Sequence, residues 1–536
     1  CVYDGDLYNY TELRDQLIAR GNRFFSETDT EVMLRGIIDQ GADFLKQTNG
    51  MFSVAIWDNA ENVLILARDP LGKKPLYVWE SESGHVMFSS SLAAFRVFPD
   101  WRGVVNKGAI VQFVRTGIIP PPLTIYRGTR AILPGTLETY RLSHREWTIT
   151  AYDAFVCGKT RRKITDEEML SEIDRALSIR LPRGVPTGLT FSAGVDSGIL
   201  ACRLAKSNYP VSLYNIDYDS ATDRSPERQN AREVAAILGL PLILEDFAPL
   251  NLFGALPEAY CHYDQPCPQL SLVFFYQLSR AMCNHGVKVA ICGNGGDELF
   301  FGYTGDRNIR ILSDKIRYLL PIIPSRFLSH PMRLLKGGDW RNYALETEEQ
   351  STIMITEQVG FPMEEVMSDC APYMDAVDQQ VRSAEFRRYT DYVMWNRLYL
   401  HCAGGNVIIP DVSGMHGWVE YRSPYLDWRL VKVASMLPES MRVGSYFNDK
   451  YNKAVLKRLY ARMLGPQYAY DAKRGMAWNI RFDKWIRDVP EINQFVRKTI
   501  RILDSFGVQS AFFLSRFDDY CSDNALYKRG ASEVVA

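Results

Sequence analysis

The chain has 536 residues, a hydrophobic fraction of 46%, a charged fraction of 23% and a formal net charge of −1. A chain of this length predicts two or more domains, each with its own core. The balanced charge gives no general reason for binding nucleic acid or an anionic membrane, and no apolar run approaches the ~18 residues of a membrane span. We therefore expect no nucleic-acid partner, no membrane partner and no signal peptide.

The ten cysteines and seven histidines are scattered singly along the chain. None of them forms a C-x-x-C pair or a His/Cys pattern with the spacing of metal ligands. Together with the enzyme-like composition, this pattern predicts reduced thiols, a cytoplasmic location and no His/Cys metal cluster.

The N-terminal part of the chain predicts a β-rich layer packed with helices. Residues 1–9 indicate a strand, a tight turn at Asp4-Gly5 and the entry to a helix that Thr11 caps. Two alternating apolar runs follow at 51–57 and 63–67, and turn residues separate them. This pattern is typical of a β-hairpin.

Six short motifs occur in order in this part of the chain, at 4–9, 28–31, 49–52, 68–77, 117–124 and 133–136. Together they resemble the glutaminase domain of asparagine synthetases, which is an N-terminal-nucleophile hydrolase. The resemblance implies such a domain over residues 1–155, incomplete at its start. It also implies a remnant of a glutamine-binding site at Asp4, Gly5, Asp6 and Asp29.

Two departures from that family bear on glutamine hydrolysis. The family begins with a catalytic Cys-Gly, whereas this sequence starts almost at the later motif. Cys1 is either the nucleophile or an ordinary strand cysteine, and we favour the second, because Cys1 is about 10 Å along the same strand from Asp4 at ~3.3 Å per residue. Asp4 replaces an Asn, and an ionised carboxylate would repel an oxyanion. We expect the domain fold to be kept and this chain not to hydrolyse glutamine.

Residues 142–163 turn polar and basic, which predicts a linker. Thr165 and the acidic residues 166–168 then predict the start of a helix with a capping box. We therefore expect a second domain over residues 160–536.

The second domain is organised around the loop at 187–198. An apolar run ends in Ser192-Ala193-Gly194, and an apolar helix-like stretch follows. Such a strand–loop–helix presents backbone N–H groups to an anion, but Asp196 faces a phosphate favourably only through a divalent cation. The loop therefore predicts a pyrophosphate-and-metal site. Ala193 is tolerable there with a negative φ and unfavourable with a positive φ.

Strand-like runs at 211–216 and 241–244 flank a predicted helix at 231–239, and this alternation predicts a parallel sheet. Ligands bind at the carboxyl ends of such strands, where Ser192 and Ile216 fall. A further apolar run at 287–292 leads into a glycine-rich loop with Asp297 and Glu298. Asp297 is predicted to share a Mg²⁺ with Asp196.

The first loop resembles the Ser-Gly-Gly-x-Asp-Ser loop of ATP-pyrophosphatase enzymes, with Ala193 in place of Gly. The second resembles the same family's Gly-x-Gly-x-Asp-Glu-Leu-Phe-x-Gly-Tyr, with Asn294 where asparagine synthetases often carry Glu. The resemblance implies an α/β fold, namely a parallel-sheet, adenine nucleotide alpha hydrolase-like domain with a helical C-terminal half. It implies ATP/pyrophosphate contacts at Phe191, Ser192, Ala193, Gly194, Val195, Asp196, Ser197, Ile216, Cys292 and Gly293.

The C-terminal half contains three further features. Residues 307–400 predict a helical extension, and we interpret its basic cluster (Arg326, Arg333, Lys336 and Arg341) as a solvated face rather than an anion site. The stretch 411–427 aligns without gaps on a family motif, with Val412 in place of Arg, and we favour a structural ion pair between Arg422 and Asp427 over a direct catalytic role. Lys473 resembles the family's Lys-x-Gly-Phe lysine, which neutralises charge on the α-phosphate and on the tetrahedral intermediate.

The resemblance as a whole implies an AMP-forming carbon–nitrogen ligase with ATP and Mg²⁺ as cofactors and Lys473 and Asp297 as catalytic residues. The default substrates are aspartate and either glutamine or free ammonia. A homodimer is possible. One alternative keeps the chemistry but changes the carboxylate, as in β-lactam synthetases and lasso-peptide cyclases. The other alternative is a non-catalytic homologue that acts as a binding partner. The presence of intact Asp196, Asp297 and Lys473 argues against this alternative.

Overall fold

The computed structural model describes residues 1–153, 161–217, 226–246, 263–267, 271–303, 306–311, 340–359, 361–383 and 388–470. It is a mixed α/β structure, as predicted, with antiparallel sheets in the N-terminal part and a parallel sheet after residue 186. Within the described ranges, no helix is long and apolar enough to cross a membrane.

The N-terminal part contains two antiparallel sheets, with strand orders β1-β2-β3-β7-β8 and β5-β4-β6. The strands are β1 (Val2–Leu7), β2 (Gly50–Asp58), β3 (Val63–Arg68), β4 (Tyr77–Glu80), β5 (Val86–Ser89), β6 (Thr129–Ala131), β7 (Thr136–Arg141) and β8 (Glu146–Ala151). The helices are α1 (Tyr10–Ala19), α2 (Asp29–Gln40), α3 (Ala42–Leu45) and α4 (Lys107–Thr116). The predicted hairpin is confirmed as β2 and β3, which pair from Ser53–Arg68 to Asp58–Val63.

The predicted turn at Asp4-Gly5 is wrong, because β1 runs unbroken through both residues and pairs with β2 along its whole length. Gly5 has φ +135°, and a Cβ there would lie 1.9 Å from the carbonyl oxygen of Met51. The glycine therefore permits close contact between two strands. The predicted cap at Thr11 is also wrong, because the N-cap position of the following helix is Asn9, whose side chain makes no capping hydrogen bond.

The predicted linker at 142–163 is partly wrong, because β8 lies within it and pairs with β7. Its polar composition reflects an edge strand with mostly exposed side chains. Residues 154–160 lie outside the described ranges. The helix α5 (Asp166–Ser178) begins with the predicted capping box between Thr165 and Glu168.

The parallel sheet has the strand order β11-β10-β9-β12-β13, and all its neighbouring strands are parallel. Its strands are β9 (Thr187–Thr190), β10 (Ser212–Asp217), β11 (Leu242–Asp246), β12 (Val289–Ile291) and β13 (Glu420–Arg422). Helices α6 (Val195–Lys206), α7 (Pro226–Leu238) and α8 (Ser271–Asn284) accompany the strands, followed by α9 (Gly296–Phe300) after β12. Gly239 follows α7 with φ +66°, as expected for a helix end.

The rest of the described chain is largely helical, as predicted. The α-helices are α10 (Asp306–Ile311), α11 (Trp340–Val359), α12 (Met363–Ser383), α13 (Tyr389–Asn396), α14 (Ile408–His416), α15 (Trp428–Ser435), α16 (Glu439–Arg442), α17 (Ala454–Leu464) and α18 (Pro466–Ala469). A π-helix, Arg397–Asn406, continues α13. Of the predicted basic cluster, Arg326, Arg333 and Lys336 and the side chain of Arg341 lie outside the described residues.

One hydrophobic core joins the N-terminal part to the parallel sheet. It contains Trp79, Phe95 and Phe113 from the N-terminal part together with Leu189 and Ile291 from the sheet. The two parts are therefore packed against each other, and side chains from both meet at their boundary.

Candidate active site

The loop after β9 has the geometry of an anion site. Gly194 precedes the first residue of α6 as its N-cap, with no side chain capping the helix. The loop is held from within, since the backbone N–H of Gly194 donates to Ser192 Oγ at 3.3 Å and that of Ser192 donates to Ser197 Oγ at 3.3 Å. Val195, at the first position of α6, leaves its N–H at the helix N-terminus, where an anion binds favourably.

Ala193 adopts φ +57°, the left-handed region that its Cβ disfavours. The structure therefore has the unfavourable positive φ at this residue and not the tolerable negative φ. The hydroxyl of Tyr460 donates to the carbonyl oxygen of Ala193 at 3.1 Å, and Ala193 is buried. Tertiary contacts thus hold the loop in this conformation.

The second glycine-rich loop lies directly against the first. A Cβ on Gly293 would lie 3.0 Å from Asp196 Cβ, and one on Gly296 would lie 2.3 Å from Asp196 Oδ1. Gly295, the N-cap of α9, has φ +94°. These glycines let the backbone after β12 approach the Asp196 carboxylate, so the two loops form one site at adjacent strand ends.

Asp196 and Asp297 come together at this site, through a lysine that the sequence did not single out. Lys453 Nζ forms ion pairs with Asp196 Oδ2 and, at 2.8 Å, with Asp297 Oδ1. Burial opposes the charged form of Lys453, but the two carboxylates raise its pKa above the ordinary value. The ammonium is therefore charged at neutral pH. Nothing local in the sequence around Lys453 indicates this role.

The two carboxylates fit a Mg²⁺ that also binds a phosphate chain. Asp196 Oδ1 is buried and has no hydrogen-bond partner, and Mg²⁺ in nucleotide sites typically takes one or two carboxylates plus phosphate oxygens. Among the described residues, no group of three or more His, Cys, Asp or Glu side chains could hold a metal by itself. The donor set here thus suits a metal that arrives with a ligand.

The other predicted nucleotide contacts line the same strand ends. Asn215 Nδ2 donates to the carbonyl oxygen of Phe191 at 2.8 Å, and Ile216 is buried near the end of β10. Cys292 Sγ lies 3.0 Å from Ser423 Oγ, and burial raises the pKa of its thiol. Glu298 accepts hydrogen bonds from Tyr303 and Asn406. Lys473 lies outside the described residues.

The predicted glutamine-binding remnant lies at the boundary between the two parts of the chain. Lys74 Nζ pairs with Asp4 Oδ1 at 3.3 Å and with Asp411 Oδ1 at 2.7 Å, and its side chain is 1% exposed. Burial raises the pKa of Asp411 to about 6 despite Lys74. Asp4 therefore has a buried cation beside it, which offsets the negative charge that made its presence unfavourable for an oxyanion.

Asp6 and Asp29 are both engaged within this remnant. Asp6 Oδ2 pairs with Arg422 Nη2 at 2.5 Å, and burial together with a hydrogen bond to Glu420 raises the pKa of Asp6 to about 7. Asp29 Oδ2 accepts from Tyr3 Oη at 3.2 Å and from the backbone N–H of Leu7 at 3.0 Å.

The predicted ion pair between Arg422 and Asp427 is wrong. Arg422 pairs with Glu420 and Asp6, whereas Asp427 pairs with Arg180 at 2.7 Å. Asp427 caps α15 through its other oxygen, so both of its carboxylate oxygens have partners other than Arg422. No local sequence pattern around Arg180, which is fully buried, indicates this pairing.

Comparison with known proteins agrees with this arrangement. A family model described as a glutamine amidotransferase domain matches residues 1–152, and one described as asparagine synthase matches residues 168–532. The glutamine-hydrolyzing asparagine synthetase 1 of Bacillus subtilis (strain 168) is 26% identical over 539 residues, spanning 98% of this chain and 82% of that protein. A putative glutamine-hydrolyzing asparagine synthetase of Mycobacterium bovis is 25% identical over 517 residues, spanning 91% and 75%.

Among solved structures, an NH3-dependent NAD synthetase from Campylobacter jejuni is similar at 12% identity, with a TM-score of 0.21, over 41% of this chain and 95% of that one. A TM-score this low carries no argument about function. The asparagine synthase model, in contrast, covers more than half of the 536 residues. The chain therefore belongs to the asparagine synthase family and is a carbon–nitrogen ligase of that ATP-using family.

Proposed function

We propose that this ligase activates aspartate with ATP as an acyl-AMP, releasing pyrophosphate, and that nitrogen from glutamine or free ammonia then displaces AMP to give asparagine. The observation that supports the proposal best is the contact of Asp196 and Asp297 with one ammonium at the carboxyl ends of β9 and β12. Parallel sheets bind their ligands at this edge. Carboxylates and a cation are the groups that a metal-bound triphosphate needs.

Each residue of the site has a proposed role in this reaction. Backbone N–H groups of the first loop bind the pyrophosphate part of the nucleotide. They belong to Ser192, Ala193, Gly194, Val195 and Ser197. Asp196 and Asp297 hold Mg²⁺, which supplies charge neutralisation when bound. Phe191, Ile216, Cys292 and Gly293 line the nucleotide pocket. Lys473 stabilises charge that develops on the α-phosphate.

The nitrogen source is proposed from the N-terminal part of the chain. The match to a glutamine amidotransferase domain over residues 1–152 supports glutamine, with Asp4, Gly5, Asp6 and Asp29 in the glutamine-binding region. The pairing of Asp4 with Lys74 supports it further, because a neutralised carboxylate repels an oxyanion less. The division of the chain into domains over 1–155 and 160–536 is proposed on the same ground, since the two family models leave 153–167 between them.

A second candidate keeps this chemistry and changes the carboxylate. Asn294 replaces the Glu common in asparagine synthetases, and its Nδ2 donates to the carbonyl oxygen of Asn406 at 2.9 Å. Asn294 is neutral and is hydrogen-bonded to the π-helix. The site therefore lacks the negative charge of that Glu at the place where the acceptor carboxylate would lie. This candidate predicts a carboxylate other than aspartate.

The experiment is ATP–pyrophosphate exchange with Mg²⁺ and a panel of carboxylates. Aspartate-dependent exchange that disappears in Asp196→Asn and Asp297→Asn supports the first candidate. Exchange with another carboxylate and none with aspartate supports the second. Exchange that is absent with every carboxylate, in a protein that also fails to bind ATP, would overturn both. Amide yield with glutamine and with ammonium salts then identifies the nitrogen source.

A further inference from the structure

The two carboxylates of the nucleotide site share contact with one cation of the protein, the ammonium of Lys453. Lys453 Nζ lies within ion-pair distance of both Asp196 and Asp297, and its side chain is only 3% exposed. Asp196 Oδ1 is the remaining buried oxygen of its carboxylate and has no hydrogen-bond partner. The position that suits a divalent cation therefore lies directly beside an ammonium ion.

The surroundings are shaped around this three-residue contact. A Cβ on Gly302 would lie 1.9 Å from Asp297 Oδ1 and 2.0 Å from Lys453 Cε. Any larger residue at 302 would displace the lysine or the carboxylate. The close packing indicates that Lys453 has a defined place between the two carboxylates.

The backbone of Lys453 is fixed while its side chain is long. Lys453 has φ +55° and immediately precedes α17. Its neighbour Asn452 donates from Nδ2 to the carbonyl oxygen of Tyr303 at 2.9 Å, which ties this segment to the second loop. Only the long side chain, and not the helix, would therefore have to move if the ammonium changed partners.

Two cations at one pair of carboxylates repel each other, because little water screens charges in a buried site. A free divalent ion entering between Asp196 and Asp297 must displace the ammonium, and it leaves a buried charge unpaired. A nucleotide changes this balance, since its phosphate oxygens provide Lys453 with a new partner. On the basis of the proposed function, we propose that Lys453 and the divalent cation compete for Asp196 and Asp297, so that the site takes the metal only together with a phosphate chain.

The test measures Mn²⁺ binding by the full chain at neutral pH, by calorimetry and by electron paramagnetic resonance. We expect weak binding of Mn²⁺ alone to the wild type and at least about tenfold tighter binding to Lys453→Met, because a neighbouring like charge has been removed. Asp196→Asn added to Lys453→Met should abolish the gain. Lys453→Arg, which keeps the charge, should show no gain.

Lys450→Met is the matched control. Lys450 is an exposed lysine three positions away, and its replacement should leave Mn²⁺ binding unchanged. Circular dichroism establishes that each variant is folded, and Lys453→Gln takes the place of Lys453→Met if the latter does not fold. Mn²⁺ affinity of folded Lys453→Met or Lys453→Gln equal to that of the wild type would overturn the competition.

A second titration separates this inference from the proposed function. Mn²⁺ is added to the wild type with the non-hydrolysable α,β-methylene analogue of ATP, and binding should tighten at least about tenfold relative to Mn²⁺ alone, because the phosphate chain takes over Lys453. If the analogue does not bind at all, the proposed function fails. If the analogue binds with Mn²⁺ but Lys453→Met gains no affinity for Mn²⁺ alone, only the competition fails.

Discussion

Asn49 and Asp427, 378 positions apart in the chain, share a buried hydrogen bond of 2.9 Å from Nδ2 to Oδ2. The same carboxylate oxygen accepts from Arg180 Nη1 at 2.7 Å. Asn49 belongs to the amidotransferase-like part, whereas Asp427 and Arg180 flank the parallel sheet. One carboxylate therefore connects the two parts of the ligase.

Asp427→Asn tests the contribution of this connection to stability. Asn still caps α15 but leaves the buried guanidinium of Arg180 without its counter-ion, which typically costs about 3–5 kcal/mol. We expect a loss of that order in the free energy of unfolding, measured with denaturant. Glu61→Ala, at an exposed position, is the control. A loss below about 1 kcal/mol, as is typical of exposed pairs, would show that the ion pair contributes little.

The pKa of Asp427 also predicts how the stability of the protein changes in acid. Although burial opposes ionisation, Arg180 lowers the pKa of Asp427 to about 2, below the ~3.9 of an unfolded Asp. The carboxylate therefore contributes its full stabilisation above about pH 4, and that contribution is lost as the pH falls through about 2. The stability of Asp427→Asn should depend less on pH over this interval than that of the wild type.

Ala193→Gly should stabilise the protein. Ala193 has φ +57°, where a Cβ costs roughly 1–2 kcal/mol, and glycine removes that strain but adds entropy to the unfolded chain. We expect a net gain of up to about 1 kcal/mol in thermal or denaturant unfolding. The control is Ala201→Gly inside α6, where glycine should cost about 1 kcal/mol. Equal losses in the two variants would mean that Ala193 is not strained.

His401 should make stability depend on pH. It lines a cavity of about 350 Å³, and burial lowers its pKa from 6.5 to about 4. The unfolded chain therefore binds a proton at a higher pH than the folded chain does, so stability falls as the pH drops from about 6.5 to about 4. His401→Gln should flatten the profile over that interval, whereas His144→Gln, at an exposed position, should not. Parallel profiles for the wild type and His401→Gln would refute this.

Lys473→Ala should reduce product formation by at least ~10²-fold, because a preorganised charge at a developing oxyanion is typically worth that much. ATP binding should weaken less, since in the proposed site backbone N–H groups and the metal would hold most of the triphosphate. Lys473→Arg should restore activity only in part. Steady-state AMP and amide production, measured beside nucleotide affinity, checks this. Near-wild-type turnover of Lys473→Ala would remove the residue from the mechanism.

Much of the fold could be predicted from sequence because the relevant signals are local. The apolar run before Ser192, the capping box at Thr165 and the glycine after α7 each depend on neighbouring residues. The turn predicted at Asp4-Gly5 failed for a non-local reason: Gly5 is required by contact with Met51 on another strand. The edge strand β8 could not be predicted, because its side chains are mostly exposed and polar and therefore lack the alternation of apolar and polar residues that indicates a strand.

The same difference between local and non-local signals applies to the residues of the site. That Asp196 and Asp297 lie close together could be predicted, because each follows a strand in a glycine-rich loop. Lys453 and Lys74 could not, since only tertiary packing brings them to carboxylates far away in sequence. For the same reason the sequence assigned Asp427 to Arg422 rather than to Arg180. The roles of the nucleotide-contact residues and of Lys473 remain predictions.

In the proposed reaction the carboxylate is activated when it takes the AMP group of ATP and pyrophosphate leaves. The most direct measurement follows the heavy oxygen isotope from labelled aspartate into the phosphorus-containing products of a complete reaction with a nitrogen donor. The acyl-AMP route predicts one labelled oxygen in AMP and none in pyrophosphate, because the amide forms by displacement of AMP from the activated carbonyl. Label in inorganic phosphate together with ADP, or unlabelled AMP beside newly formed amide, would contradict it.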